Sequence, residues 1–244
     1  IKGIRDKKDR DDIHARMNSL VRLQTPSNAT EPEGMLAVKR HLGLLDKHRV
    51  RTSPANVLNK VADYLATNRM LPAICFVLSR KALERHARDL TTTLVRDEDD
   101  DVFNPAIIQR ECEHILRKTH SLDEYGATPE YAETLALLQK GVGIHHAGMA
   151  PILREMVELL FGTGKIRVLF ATETFAVGIN MPAKTVLFTG TSKFDGAGMR
   201  VLRPHEYTQM AGRAGRRGID TVGHVIHLPN LDREWSAHET TAMM

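Results

Sequence analysis

The sequence predicts an α/β fold, a doubly wound parallel sheet with helices on both faces. Three observations lead there. Short, continuous apolar runs recur along the chain, as in Ala73-Ile74-Cys75-Phe76-Val77-Leu78 and Arg167-Val168-Leu169-Phe170-Ala171. Helical periodicity follows most of them. Strands and helices then alternate at short spacings, which argues for a parallel sheet. Strands apolar on both faces are buried strands, and parallel sheets are built of these.

The 244 residues suffice for one large domain, or for one domain with an appendage. With 42% hydrophobic and 26% charged residues, the composition is that of a globular protein and excludes collagen-like, low-complexity and wholly disordered chains. No apolar run approaches the roughly 18 residues of a spanning helix, so no membrane partner is expected. Two cysteines, Cys75 and Cys112, cannot staple a secreted scaffold and fit a reducing, intracellular compartment, nuclear or cytoplasmic. The chain opens on Ile1 with no leader pattern, and we expect a piece of a longer protein. A net charge of +4 permits a polyanionic partner without requiring one. Adjacent His145 and His146 split across a strand, and so do His224 and His227, three apart. HExxH and CxxC patterns are missing, and no metal site is expected.

In order along the chain, residues 1–50 read as an irregular, partly helical segment or inter-domain connection, with helical pieces near 9–23 and 34–46. Residues 51–231 read as the main domain, and 232–244 as a tail leading to a further domain. Ser53-Pro54 is a helix start, followed by a stripe of Val57, Leu58, Val61, Ala62 and Leu65. Pro72 to Ser79 is a buried strand feeding a helix. The acidic run 97–101 reads as a solvated turn, and 105–140 as two helices broken near 126–129. Strands are expected at 142–146, 167–171, 185–189 and 224–228, with a helix opened by Pro151 and another over 204–214. In such sheets ligands bind at the carboxyl ends of the strands. The loops after Ser79, His146, Ala171 and Thr189 are therefore the places to look.

Four segments carry candidate chemistry. The most specific is Gln209-Met210-Ala211-Gly212-Arg213-Ala214-Gly215-Arg216-Arg217-Gly218. On a helix, Gln209, Arg213 and Arg216 share one face. Two guanidiniums beside an amide suit the charge that develops on a transferring phosphoryl group. A solvated basic helix end would explain Arg216, Arg217 and Gly218. It would not explain Gly212 and Gly215 inside the helix, at about 1 kcal/mol each. The second segment, Ala171 to Pro182, follows a buried strand, so Thr172, Thr174 and the backbone N–H groups emerge at the ligand edge. An ordinary capped turn explains it equally well. Third, His145-His146-Ala147-Gly148 precedes a helix N-terminus and could cradle a phosphate. Fourth is Ser79-Arg80, at a strand tip. Two lookalikes fail. Gly162-Thr163-Gly164-Lys165 lacks the Walker A glycine, since 159 is Leu, and the hydroxyl, since 166 is Ile. Asp97 to Asp100 follows no apolar strand.

Taken together, these segments resemble the second RecA-like domain of superfamily-two helicases, and most closely that of the superkiller-type, exosome-associated DExH-box RNA helicases. The resemblance runs from about Pro72 to Leu228. Gly143 to Gly148 followed by Pro151-Ile152-Leu153 resembles motif IVa. Phe170 to Phe175 with Gly178 to Val186 resembles motif V. Phe194-Asp195-Gly196 resembles a family signature, and Gln209 to Gly218 resembles motif VI.

The resemblance implies that Arg213 and Arg216 are arginine fingers and that Gln209 contacts the γ-phosphate or the attacking water. It places Gly178 and Asn180 near ATP. It places Ser79, Arg80, His146, Gly148, Thr172 and Thr174 on the backbone of single-stranded RNA. ATP and magnesium would be held mainly by a first RecA-like domain, a partner in cis, and exosome-type subunits are possible partners. The implied whole is an ATP-dependent, 3′-5′ RNA-unwinding enzyme of RNA processing or decay, with this piece alone inactive. A DNA-repair helicase of the same superfamily and a non-catalytic RecA-like binding module are the alternatives.

Overall fold

The computed structural model describes residues 53–94, 104–178, 181–228, 231, 239 and 242–244. The chain divides into Ile1–Ser53 and Pro54–Met244, and every described helix and strand belongs to the second unit. The expectations for residues 1–50 and for the acidic run 97–101 lie outside the described residues, as does most of the tail.

Helix α1 (Pro54–Thr67) buries Leu58, Ala62 and Leu65 of its stripe, and Val57 and Val61 pack at its margin. Strand β1 (Ala73–Phe76) leads into α2 (Arg80–Asp89). Helices α3 (Pro105–Lys118), α4 (Leu122–Tyr125) and α5 (Pro129–Leu138) come next. They are followed by β2 (Val142–His145), α6 (Pro151–Gly162), β3 (Val168–Ala171), α7 (Glu173–Gly178) and β4 (Thr185–Phe188). A hairpin of β5 (Ser192–Phe194) and β6 (Met199–Val201), then α8 (Pro204–Ala211) and β7 (His224–His227), complete the order.

The main sheet is wholly parallel, in the order β2-β3-β1-β4-β7, and β5 and β6 pair antiparallel beside it. Strands β1, β3 and β4 are buried along their whole length. Their alternate residues feed two cores. Ile74, Phe76, Leu169, Val186 and Phe188 pack with α3, α5, α6 and α8. Ala73, Cys75, Phe170 and Leu187 pack with α1 and α2. Each large side chain so buried contributes about 1.5–3 kcal/mol. Both cysteines are free and buried, and burial pushes the Cys112 thiol up to about 12. Among the described residues, no helix is long and apolar enough to cross a membrane.

Two expectations about helices are corrected. The stretch 105–140 breaks at 119–121 as well as near 126–129, because His120 adopts φ +56°, a left-handed helix-ending conformation that glycine more often supplies. The helix expected over 204–214 ends at Ala211. The reason is tertiary: Ala214 leaves the helical path to form a parallel bridge with Ala183. The Ala183 N–H donates to the Arg213 carbonyl at 2.9 Å, and the Gly215 N–H donates to the Ala183 carbonyl at 2.7 Å.

Candidate nucleotide and nucleic-acid interface

The carboxyl ends of β1, β2 and β3 bring together the short polar residues expected there. Ser79 caps α2, its hydroxyl accepting the Ala82 N–H at 3.4 Å, and both Ser79 and Arg80 are exposed. His146 is buried. Its Nδ1 accepts the Gly148 N–H at 3.1 Å, so the neutral ring carries its proton on Nε2, which faces Glu84 Oε1 at 3.3 Å. Burial holds the His146 pKa below the ordinary imidazole value, even against the pull of Glu84. The ring therefore shapes the turn at Gly148. A Cβ on Gly148 would fall 3.1 Å from His146 Nδ1 and 3.3 Å from Arg80 Nη1, which places Arg80 over the same turn.

Thr172 sits one strand over. Its N–H donates to the His145 carbonyl at 3.1 Å, and its hydroxyl lies 2.9 Å from that of exposed Thr174. Behind this edge, His145 Nε2 meets Glu158 Oε1 at 2.7 Å and the His145 ring meets Phe175 of α7 edge-on at 4.9 Å. A groove of about 550 Å³ runs along the edge between α2 and the 189–194 segment. Ser79, Lys81, Arg85, Thr189, Gly190 and Phe194 line it.

The arginines lie elsewhere. Ala183 stands two residues before β4, and Gly223 directly precedes β7. Through the Ala183–Ala214 bridge, the 213–220 loop is anchored at the amino-terminal end of these strands. Gln209 is exposed on α8. Arg213 and Arg216 are beyond the helix, so the shared helical face expected for the three residues does not form. Gly215, at φ +90°, turns the chain. A Cβ on Gly223 would fall 2.5 Å from the Ala214 carbonyl carbon. The glycines here admit the chain's own backbone, which is a second reason for them beside the approach of a ligand. Arg213 Nη2 donates to the Ala176 carbonyl of α7, so α7 starts at the carboxyl edge and is gripped by the arginine loop further along. Arg216 forms a two-pronged pair with Asp220 at 2.8 and 2.9 Å. Arg216 holds the Asp220 carboxyl down at about 2. Gly178 ends α7, and Asn180 lies outside the described residues.

Several partners escaped the sequence reading. Glu206, at the third position of α8, accepts the Arg203 N–H at 2.8 Å and both Arg200 guanidinium prongs at 2.8 Å. Lys193 bridges Glu206 at 2.9 Å and Glu173 of α7 at 3.3 Å. Arg200 first, and then the Arg203 N–H and Lys193, hold the Glu206 carboxyl well below the usual range against the effect of burial. This network ties the β5–β6 hairpin to α7 and α8. A capping-box spacing, with Glu206 three residues after Arg203, was the available signal. For Asp220 the signal was its place four residues after Arg216. The Walker-like Gly162-Thr163-Gly164-Lys165 lies at the carboxyl end of α6, where no helix N-terminus faces a ligand, and Lys165 pairs with Glu111. Among the described residues, no three His, Cys, Asp or Glu side chains group to hold a metal ion.

Residues 115–218 match the family model described as helicase conserved C-terminal domain. The antiviral helicase SKI2 of Saccharomyces cerevisiae is 40% identical over 68% of this chain and 12% of its own length. The exosome RNA helicase MTR4 of Homo sapiens is 43% identical over 71% of this chain and 16% of its own length. The superkiller complex protein 2 of Homo sapiens is 43% identical over 67% of this chain and 13% of its own length. This is a helicase C-terminal domain of the superkiller type. Its parallel sheet with helices on both faces is the RecA-like fold. The segments that resemble motifs IVa and VI lie at opposite ends of that sheet, and the one that resembles motif V runs between them through α7. The chain spans under a fifth of the length of these relatives.

Proposed function

We propose that this helicase C-terminal domain is the second motor domain of an ATP-dependent RNA helicase with 3′-5′ polarity, acting in RNA processing or decay. What supports the reading is one arrangement. A loop carrying two arginines grips α7, and the other end of α7 opens onto an edge of short hydroxyl, glycine and backbone groups. Such an edge suits the phosphates and sugars of a single strand, without regard to sequence.

ATP would lie against the arginine loop, held mainly by a first RecA-like domain. Water attacks the γ-phosphorus and the bond to the bridging oxygen breaks. Arg213 and Arg216 offset the charge gathering on the phosphoryl oxygens, and Gln209 orients the water or the γ-phosphate. Gly178 and Asn180 would border the nucleotide. Magnesium would likewise be held mainly by the first domain, through carboxylates and the ATP phosphates. Ser79, Arg80, Gly148, Thr172 and Thr174 would contact the RNA backbone, with His146 holding the Gly148 turn. Exosome-type subunits are the proposed partners, in the nucleus or the cytoplasm.

The test is ATP turnover by the full-length protein carrying Arg216→Ala. A fall of about 10³–10⁵-fold is expected for a lost finger. Near wild-type turnover would reject the assignment. Strand displacement on matched RNA and DNA duplexes decides the substrate, and a clear DNA preference would reject the RNA reading.

A further inference from the structure

Arg216 is held in place by the chain's own Asp220. The Asp220 side chain is only 4% exposed and takes three hydrogen bonds from this one residue. The Arg216 backbone N–H donates at 3.0 Å, Nε at 2.8 Å and Nη2 at 2.9 Å. In return, the N–H groups of Asp220 and Ile219 donate to the Arg216 carbonyl at 2.9 and 3.0 Å. Gly215 and Gly218, at φ +90° and +78°, fold the loop that allows this.

A guanidinium carries five N–H groups in a rigid fork. Two of them face Asp220. Of the other three, two lie on the Nη1–Nη2 edge and one on the Cδ side of Nη1, and the Nη1–Nη2 edge meets no hydrogen-bond acceptor among the described residues. Its spacing matches two oxygens of a phosphoryl group. Were Arg216 to leave Asp220 in order to reach a phosphate, a buried carboxylate would be stripped of its partner, a strongly unfavourable step. Using the second edge avoids that loss.

We infer that Asp220 is a positioning residue for the arginine finger: it grips the Nε–Nη2 edge of Arg216 and presents the Nη1–Nη2 edge to the γ-phosphoryl of ATP. The inference rests on the finger role proposed above. A side chain gripped by its own chain in this way gives up little rotamer freedom on meeting a phosphate.

The experiment is steady-state ATP hydrolysis by the full-length protein with Asp220→Ala, Asp220→Asn, Arg216→Ala and the Asp220→Ala/Arg216→Ala pair. Asp220→Ala should lower kcat by about 10²-fold, the scale of a misplaced catalytic group. KM for ATP should change less than about threefold, because binding common to ground and transition states is untouched. Added to Arg216→Ala, it should cost nothing more. Asp220→Asn keeps an acceptor oxygen in place and should fall between wild type and Asp220→Ala. It also serves as the readout if the alanine variant does not fold. A rise in turnover on Asp220→Ala or Asp220→Asn would mean that Asp220 sequesters the finger, and would overturn the inference. Losses that multiply in the pair would overturn it too. Collapse with Arg216→Ala and normal turnover with both Asp220 variants would reject the inference and keep the finger. Normal turnover with Arg216→Ala would reject the finger itself.

Discussion

The carboxyl end of the sheet and the arginine loop at its other end are built on different principles. At the carboxyl end the candidate site groups are short, and strand tips, a helix cap and a tight turn set their positions. Ser79, Gly148 and Thr172 could stand nowhere else once the strands pair. In the loop the candidate groups are long guanidiniums. Their positions are set by acceptors contributed from elsewhere in the chain, the Ala176 carbonyl and the Asp220 carboxylate. One end is placed by backbone and the other by side-chain hydrogen bonds, an ion pair among them, with a strand of about 13 Å between them. The two ends should therefore fail in different ways.

The largest difference should come from glycine substitutions at the two ends. Gly223→Ala drives a Cβ to 2.5 Å from the Ala214 backbone, which cannot give locally. It should cost about 3 kcal/mol in urea unfolding and disable ATP turnover with it. Next, Glu206→Ala strips Arg200 and Lys193 of their shared carboxylate and frees the hairpin from α7 and α8. A loss of about 2 kcal/mol is expected. Gly148→Ala meets an imidazole nitrogen and the end of a flexible arginine. It should cost less than about 1 kcal/mol, while weakening RNA binding measured by fluorescence anisotropy. A stability loss at Gly148 as large as that at Gly223 would erase the contrast.

Acid should separate the ends most gently. His146 has a lowered folded pKa, so its contribution is full above the unfolded value of 6.5 and declines as pH falls below it. Asp220 is also lowered, but its contribution is full above 3.8 and is lost only as pH falls through about 2. Unfolding curves of His146→Gln and Asp220→Asn, each subtracted from wild type, should change in these two separate windows.

The same contrast explains what could be read in advance. Apolar runs such as Val168 to Ala171 have one good solution, a buried strand, and their ends follow within a residue except at β1, which stops at Phe76, short of the expected Ser79. The tips of those strands, and hence Ser79, His146 and Thr172, follow with them. The loop was harder to read, because the periodicity of 204–214 is helical and only the distant Ala183 draws Ala214 away. Nor does any local pattern say that Glu84 lies under His146, or that Lys193 reaches Glu173 and Glu206. Those pairs exist because strand order places remote segments side by side. His120 ends a helix with neither glycine nor proline to mark it.

The bridge between Ala183 and Ala214 carries one more consequence. It enrols the arginine loop in the hydrogen-bond ladder of the sheet, so the amides of Ala183 and Gly215 should exchange with deuterium as slowly as those of β4. A loop with that protection has no slack. A pull on Arg216 would be passed through this bridge to β4, where a loop without the bridge would stretch.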